Sequence, residues 1–508
     1  MASFRSHVAP LHVLPLVAAF FVSAVPQNGA GTAAPAAPLP TLTAEVTRTE
    51  LEHHVRYLAS DELRGRFTGT PEAVRAAQYL AAVLQASGVQ PAGDDGTFLQ
   101  RVPFERTRAK AVPELRVTTK SGAPLPAVFG ADFDLPLGLD LTTTALRVVH
   151  VKRPADLPAE PDPKAALFVE GSVSERRRLL TRKNEPGANG WGLRVGEGRA
   201  KRGTPKPAGG DWSPPMAPRG PGDVWLTLNG ELLEAMKAGE VVALELVTHV
   251  EREALPAYNV VGVLPGAGDG ALGKETVVLS AHYDHLHARD EAGDADAGEP
   301  GAEGGPKDVV FNGADDDASG CAAVLELAGR LGASKRPQRT VVFLLATGEE
   351  IGLVGTWYYL DHPARPLETT VANLNFEMIG RPDEKVGGPG KLWLTGFELS
   401  NLGAAFAEAK LDIAIDPRPE QHFFERSDNI AFVRRGIVGQ TFSTYNLHED
   451  YHRVSDEADT LDYAHLEACT RSAVAAVELV VDGKVKPAWL PGKDPNAPRG
   501  ERKPSAPK

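Results

Sequence analysis

Between about residues 250 and 485, short apolar runs recur, and each one stops at a histidine or a carboxylate. TVVLSAHYD ends on His282 and Asp284, and VVFNGADDDASG on three aspartates. RTVVFLLATGEE ends on Glu349 and Glu350, and VANLNFEMIG contains Glu377. Segments with helical spacing, such as CAAVLELAGRL, lie between them. Strands alternating with helices pack as a mostly parallel sheet covered by helices. In such sheets, sites form outside the carboxyl ends of the strands. His282, Asp316, Glu349, Glu350 and Glu377 are the residues that this rule brings there.

The chain has 508 residues, more than one ordinary domain needs. Arg5 and His7 precede an apolar run of about 15 residues, LHVLPLVAAFFVSAV, followed by Val22-Ser23-Ala24. This reads as an export signal over 1–24, too short for a membrane span, and it implies a secreted or periplasmic protein. Residues 25–42 are rich in Ala, Pro and Gly and read as a flexible linker. Residues 43–120 open the main domain, with a helix predicted from Pro71 to just before Gly88. From 121 to 249, pieces such as ALRVVHVK, AALFVEG and VVALELVTHV mark an inserted β-rich domain. Residues 250–485 carry the strand–helix alternation, and 486–508, rich in Pro and charge, read as a disordered tail. The fold class is thus α/β: a mostly parallel central sheet flanked by helices, with a β-rich insertion. No second apolar segment is long enough to cross a bilayer, so no membrane span is expected in the mature chain.

The net charge is −13, which excludes nucleic acid as a partner, because phosphate binding needs a basic surface. Cys321 and Cys469 are the only cysteines, and both fall in expected helices. They are read as buried free thiols rather than as a disulfide framework.

Taken singly, each polar strand end has a structural reading. Acids favour the first turn of a helix, and an aspartate-rich loop usually caps one. Together they make a different case. If Asp316, Glu350 and Glu377 converge, three carboxylates repel and some are driven to protonate. Two divalent ions reverse that balance. Ions roughly 3.5–4 Å apart also let one carboxylate bridge them. Histidines with carboxylates form a mixed N/O set suited to zinc. Of the adjacent Glu349 and Glu350, one can bind metal while the other stays free as a general base.

The ordered blocks AHYDH, GADDDASG, TGEEIGLVG, LNFEMIG and DYH resemble the zinc exopeptidase family of bacterial leucyl aminopeptidases, glutamate carboxypeptidase and glutaminyl cyclase. LASDELRGRFTGTPE and AYNVVGVLPG extend the resemblance. AALFVEG and VWLTLNGELLEAM resemble pieces of a protease-associated domain. The resemblance implies a zinc aminopeptidase-like fold, two Zn2+ ions and peptide substrates. It assigns His282 to one ion, His452 to the other, Asp316 as the bridge, and Glu350 and Glu377 as further ligands. Glu349 becomes the general base, Tyr451 an oxyanion donor, and Asp284 the residue that holds His282. Asp315 and Asp317 become loop and cap residues.

Two departures stand out. Glu377 replaces the family's usual aspartate, adding roughly 1.5 Å of reach, and RRGIVG lacks the usual proline. An acidic, Gly-rich loop over 287–306 reads as a solvated rim whose spacing does not match an EF-hand. The expected function is an exported dizinc aminopeptidase. The alternatives are a carboxypeptidase or dipeptidase of the same family, or a non-catalytic receptor-like protein. Nothing in the sequence bears on oligomeric state.

Overall fold

The structure is a computed structural model that describes residues 39–135, 141–143, 145–158, 160–172, 176, 191–198, 225–288 and 308–497. The expected export signal, most of the linker, the acidic loop beyond 288 and the last residues of the tail lie outside the described residues.

The central sheet has nine strands. They are β1 (Gln90–Pro91), β2 (Leu99–Arg101), β3 (Tyr258–Leu264), β4 (Thr276–His282), β5 (Thr340–Ala346), β6 (Thr370–Phe376), β7 (Leu392–Leu394), β8 (Ile413–Ile415) and β9 (Val438–Ser443). Their order is β1-β3-β5-β4-β6-β9-β7-β8, with β2 also on β3. The middle four, β5-β4-β6-β9, run parallel. Antiparallel pairs flank them, β3 on β5 and β7 on β9. β4 and β5 are buried along their whole length, which is why both read as unbroken apolar runs rather than as alternating strands.

Helices cover both faces. α1 (Arg48–Leu58) and α2 (Pro71–Ala86) are capped by Thr47 and Thr70, whose side chains accept the Glu50 and Ala73 backbone N–H groups. α3 (Gly320–Ala333) contacts both of them and packs on β4. α4 (Val354–Asp361) and α5 (Asn429–Arg434) cover the sheet through Tyr359, Leu360, Ala431 and Phe432 against Val261, Val278, Val342 and Leu344. α6 (Tyr463–Val481), capped by Asp462, closes the chain's regular structure and contacts α1 and α3. Among the described residues no helix is long and apolar enough to cross a membrane.

Register positions the site. β4 and β5 pair His282 with Ala346, and β4 and β6 pair Ser280 with Asn375. Two residues further on, His282 and Glu377 reach the ends of neighbouring strands side by side. β4 and β6 therefore deliver His282 and Glu377 to one edge.

A second sheet, of eight strands, runs Glu114–Thr119, Val241–Thr248, Leu146–Val151, Ala165–Val169, Leu193–Glu197, Trp225–Leu228 and Phe133–Asp134, with Leu141–Thr142 on Val241–Thr248. It has its own core, with Phe133, Phe168, Leu193, Leu226 and Leu246 fully buried. An antiparallel ribbon of Glu105–Ala109 with Val250–Ala254 carries the chain out and back.

Two boundaries differ from the sequence reading. Glu114–Thr119, assigned to the opening of the main domain, pairs within the second sheet. Its alternation, ELRVTT, carries no shift in composition to mark the crossing. The tail does not stand free from 486. Leu490 N–H donates to Leu399 O, Asn401 N–H donates to Ala488 O, and Ser400 pairs with Trp489. Proline and charge describe how this segment is solvated, but backbone groups of the adjacent loop hold it.

Candidate metal centre and active site

His282 closes β4, and its backbone N–H donates to Asp317. Its ring Nε2 lies 3.2 Å from Asp316 Oδ1. Asp316 Oδ2 lies 3.3 Å from His452 Nε2, which is also 3.1 Å from Glu350 Oε2. Zinc bonds of about 2.0–2.1 Å in tetrahedral geometry separate donors by roughly 3.3 Å, so these spacings suit a shared ion. Two donor groups result: His282, Asp316 and Glu377, and His285, Asp316 and Glu350. Asp316 belongs to both.

Burial and charge agree with that geometry. His282 Nε2, both His285 ring nitrogens, Asp316 Oδ1, Glu350 Oε1 and Glu377 Oε2 are buried without a hydrogen-bond partner. Unpaired buried polar atoms are costly unless something else satisfies them. Burial raises Glu377 and Glu349 well above the usual carboxylate range, with neighbouring acids adding to the effect. Burial also acts on Asp316, but the close His282 and His452 imidazoles outweigh it and hold that carboxyl well below. Glu350 sits at about 2, its burial and the Asp316 charge being overcome by His285 and His452. Burial works against the charged form of His452, yet Asp316 and Glu350 push it up to about 10. Excess negative charge is thus shared out over protons and imidazoles. Divalent cations would take over that role.

The loop carrying Asp316 is built tightly. Gly313 has φ +55°, and a Cβ there would come within 2.3 Å of Asp316 O and 2.5 Å of the His285 ring. The Asp316–Asp317 peptide is cis. Asp317 accepts N–H groups from His282, Gly320 and Met378, so besides capping α3 it ties the ends of β4 and β6 together. Asp315 accepts from Gly380 N–H and lies 3.1 Å from His448 Nε2. Both flanking aspartates are fully buried. Asp456 accepts the Asp315 and Asp316 N–H groups from below, and Arg381 pairs with Asp456.

Asp284 behaves differently from expectation. Its main-chain carbonyl, 3.1 Å from His282 Nδ1, is the hydrogen-bond partner of that ring, while its carboxylate stands 3.9 Å away. The carboxylate instead accepts the Glu349 N–H at 3.1 Å and the Thr68 hydroxyl at 3.2 Å. Short side chains that leave a strand end cannot reach back to the ring and also receive the next loop. Glu349 belongs to neither donor group. Tyr451 stacks on His452 at 3.9 Å between ring centroids and lines a pocket together with Glu377.

Three contributors carry no role in the sequence reading. His285 Nδ1 lies 2.7 Å from Glu350 Oε1. The second histidine of AHYDH was visible, but nothing in its spacing distinguished it. Arg66 is fully buried and donates to the carbonyls of Leu58, Asn312 and Gly313. Thr68 bonds Asp284 and Thr347. The arginine and the threonine lie more than two hundred residues upstream of the loops they hold, in RGRFT.

Comparison with known proteins agrees with the centre's chemistry. Residues 259–477 match Peptidase family M28. A vacuolar membrane protease of Lachancea thermotolerans is 31% identical over 160 residues, 30% of this chain and 16% of that protein. A probable zinc metalloprotease of Pyricularia oryzae is 35% identical over 122 residues, 24% of this chain and 21% of that protein. The aligned parts thus span about a fifth or less of these relatives. An aminopeptidase from Aneurinibacillus sp. strain AM-1 superposes with a TM-score of 0.46 at 16% identity, covering 86% of this chain and 95% of that one. A zinc aminopeptidase from Bacillus subtilis gives 0.44 at 17%, covering 88% and 97%. The segment that matches Peptidase family M28 is the one that carries all of the candidate metal-binding and catalytic side chains.

Proposed function

We propose that the protein is an exported dizinc metallo-aminopeptidase that removes N-terminal residues from peptides. The observation that carries this reading is Asp316 standing between two N/O donor groups, with Glu349 beside them and claimed by neither. His282, Asp316 and Glu377 would hold one ion, and Asp316, Glu350 and His452, with His285 adjoining, would hold the other. Zinc, once bound, supplies a Lewis acid and lowers the pKa of a water. Glu349 would take a proton from the attacking water and return it to the leaving amine. Asp284 orients Glu349 by accepting its N–H. Tyr451 donates its phenol to the carbonyl oxygen as charge develops there. The β-rich sheet fits the role of a protease-associated-like module.

The test uses the zinc-loaded mature protein on aminoacyl p-nitroanilides with free and acetylated N-termini. Cleavage of the free-amine members alone is expected. Glu349→Ala should remove most turnover and keep zinc. Loss of zinc in step with activity would contradict the division between base and ligand. Cleavage of C-terminal peptide substrates instead would establish the carboxypeptidase or dipeptidase reading.

A further inference from the structure

The pocket beside Glu377 is walled by aromatic rings. Trp393 stacks on Phe423 at 5.3 Å, Phe423 meets Tyr445 edge-on at 5.5 Å, and Tyr445 leads to Tyr451 at 5.2 Å. Apart from Glu377, a metal donor, the charged residue in its lining is Arg426.

Arg426 differs from the other arginines near the centre. Arg66 is spent on carbonyls, Arg381 on Asp450 and Asp456, and Arg418 on Asp383. The exposed Arg426 has no carboxylate partner among the described residues. Its guanidinium carbon lies 5.2 Å from the Phe423 ring centroid, and its charge acts on the Tyr445 and Tyr451 phenols. It therefore faces the cavity. Among the described residues that line the pocket, Arg426 is the cationic side chain, so an anionic substrate group that enters meets its guanidinium. A guanidinium at the aromatic mouth is a fork that a carboxylate fits.

We propose that Arg426 makes this pocket selective for a substrate carboxylate. The carboxylate comes from an acidic side chain seated in the pocket or from the free C-terminus of a short peptide. The inference rests on the peptidase function proposed above and extends it to a substrate class.

The experiment compares the zinc-loaded wild type with Arg426→Met and Arg426→Lys. One arm measures kcat/KM on glutamyl against glutaminyl p-nitroanilide. The other compares glycylglycine with its C-terminal amide. Calorimetric binding of free glutamate against glutamine, and of the two glycyl dipeptides, is measured in parallel. A charge-assisted hydrogen bond gives an anionic preference of roughly 10-fold or more. That ratio should collapse in Arg426→Met and partly return in Arg426→Lys. Preference in the first arm alone identifies the side chain as the source, and preference in the second alone identifies the C-terminus. Equal values for anionic and neutral members in both arms of the wild type overturn the proposal, as does a preference that survives Arg426→Met. Because binding is read separately, absence of hydrolysis with the binding preference intact would refute the peptidase function and leave the carboxylate pocket standing.

Discussion

Replacing Arg66 with methionine tests whether the N-terminal RGRFT stretch holds the metal loop or merely fills space. The side chain is 0% exposed. Its guanidinium donates to Leu58 O at 2.9 Å, to Gly313 O at 2.7 Å, to Asn312 O, and more weakly to Asp316 O at 3.4 Å. Methionine fills most of the stem's volume and donates nothing. Three buried carbonyls then lose their donor, at about 1–3 kcal/mol each. Relief from burying a guanidinium offsets part of that sum, because desolvation is already the dominant effect lowering the arginine's pKa. The net loss of stability is about 3–5 kcal/mol. Two of the three, Asn312 and Gly313, lead into the loop that presents the bridging carboxylate, and the weaker fourth contact is to Asp316 O itself. Zinc affinity should fall roughly 10–100-fold, as for other groups that orient metal ligands from behind. Urea unfolding of the metal-free protein reads the first effect, and zinc competition against a chromophoric chelator reads the second. Arg66→Lys, which keeps a donor, should fall between. A methionine variant that loses stability but binds zinc like the wild type would refute the coupling. One that loses neither would refute the magnitude as well.

Two further outcomes are expected. Glu326 is buried near Glu50, and burial first, then Glu50, pushes its carboxyl up to about 8 from 4.5. Below pH 4.5 both folded and unfolded chains hold the proton. Between 4.5 and 8 only the unfolded chain releases it, so this group's contribution to stability falls as pH rises and levels off above 8. The stability difference between wild type and Glu326→Gln should decline by up to about 5 kcal/mol across that window, and a flat or rising difference would contradict the assignment. His285→Gln should weaken one of two zinc ions roughly 10–100-fold while the other stays near wild type. Two ions at wild-type affinity would remove His285 from the donor set.

How far the sequence reaches can be seen residue by residue. Whole buried strands such as TVVLSAH and TVVFLLA declare themselves by composition. Because parallel strands begin and end together, the first polar residue after each run had to lie at one edge. That rule brought His282, Glu350 and Glu377 to the edge, and the family resemblance assigned them to metal. The extra methylene of Glu377 was also visible, and its carboxyl joins the His282 group.

Other features lay beyond reach because the partners are distant in the chain. RGRFT reads as a polar turn, and only the fold brings Gly65 O to the His285 N–H and Arg66 to the 312–316 carbonyls. Asp284 looked like a partner for the nearest ring, yet its carboxylate turns to Glu349 and Thr68 once β5 lies beside β4. The Glu114–Thr119 strand joined the second sheet through pairing with Val241–Thr248, a contact no local pattern encodes. Hydrophobic periodicity is a local property, so the sequence by itself determined the sheet, the polar strand ends and the kinds of donor they offer. Distances, hydrogen-bond directions and the place of Arg426 in the pocket lining depend on residues far apart in the chain, and only the tertiary structure decided them.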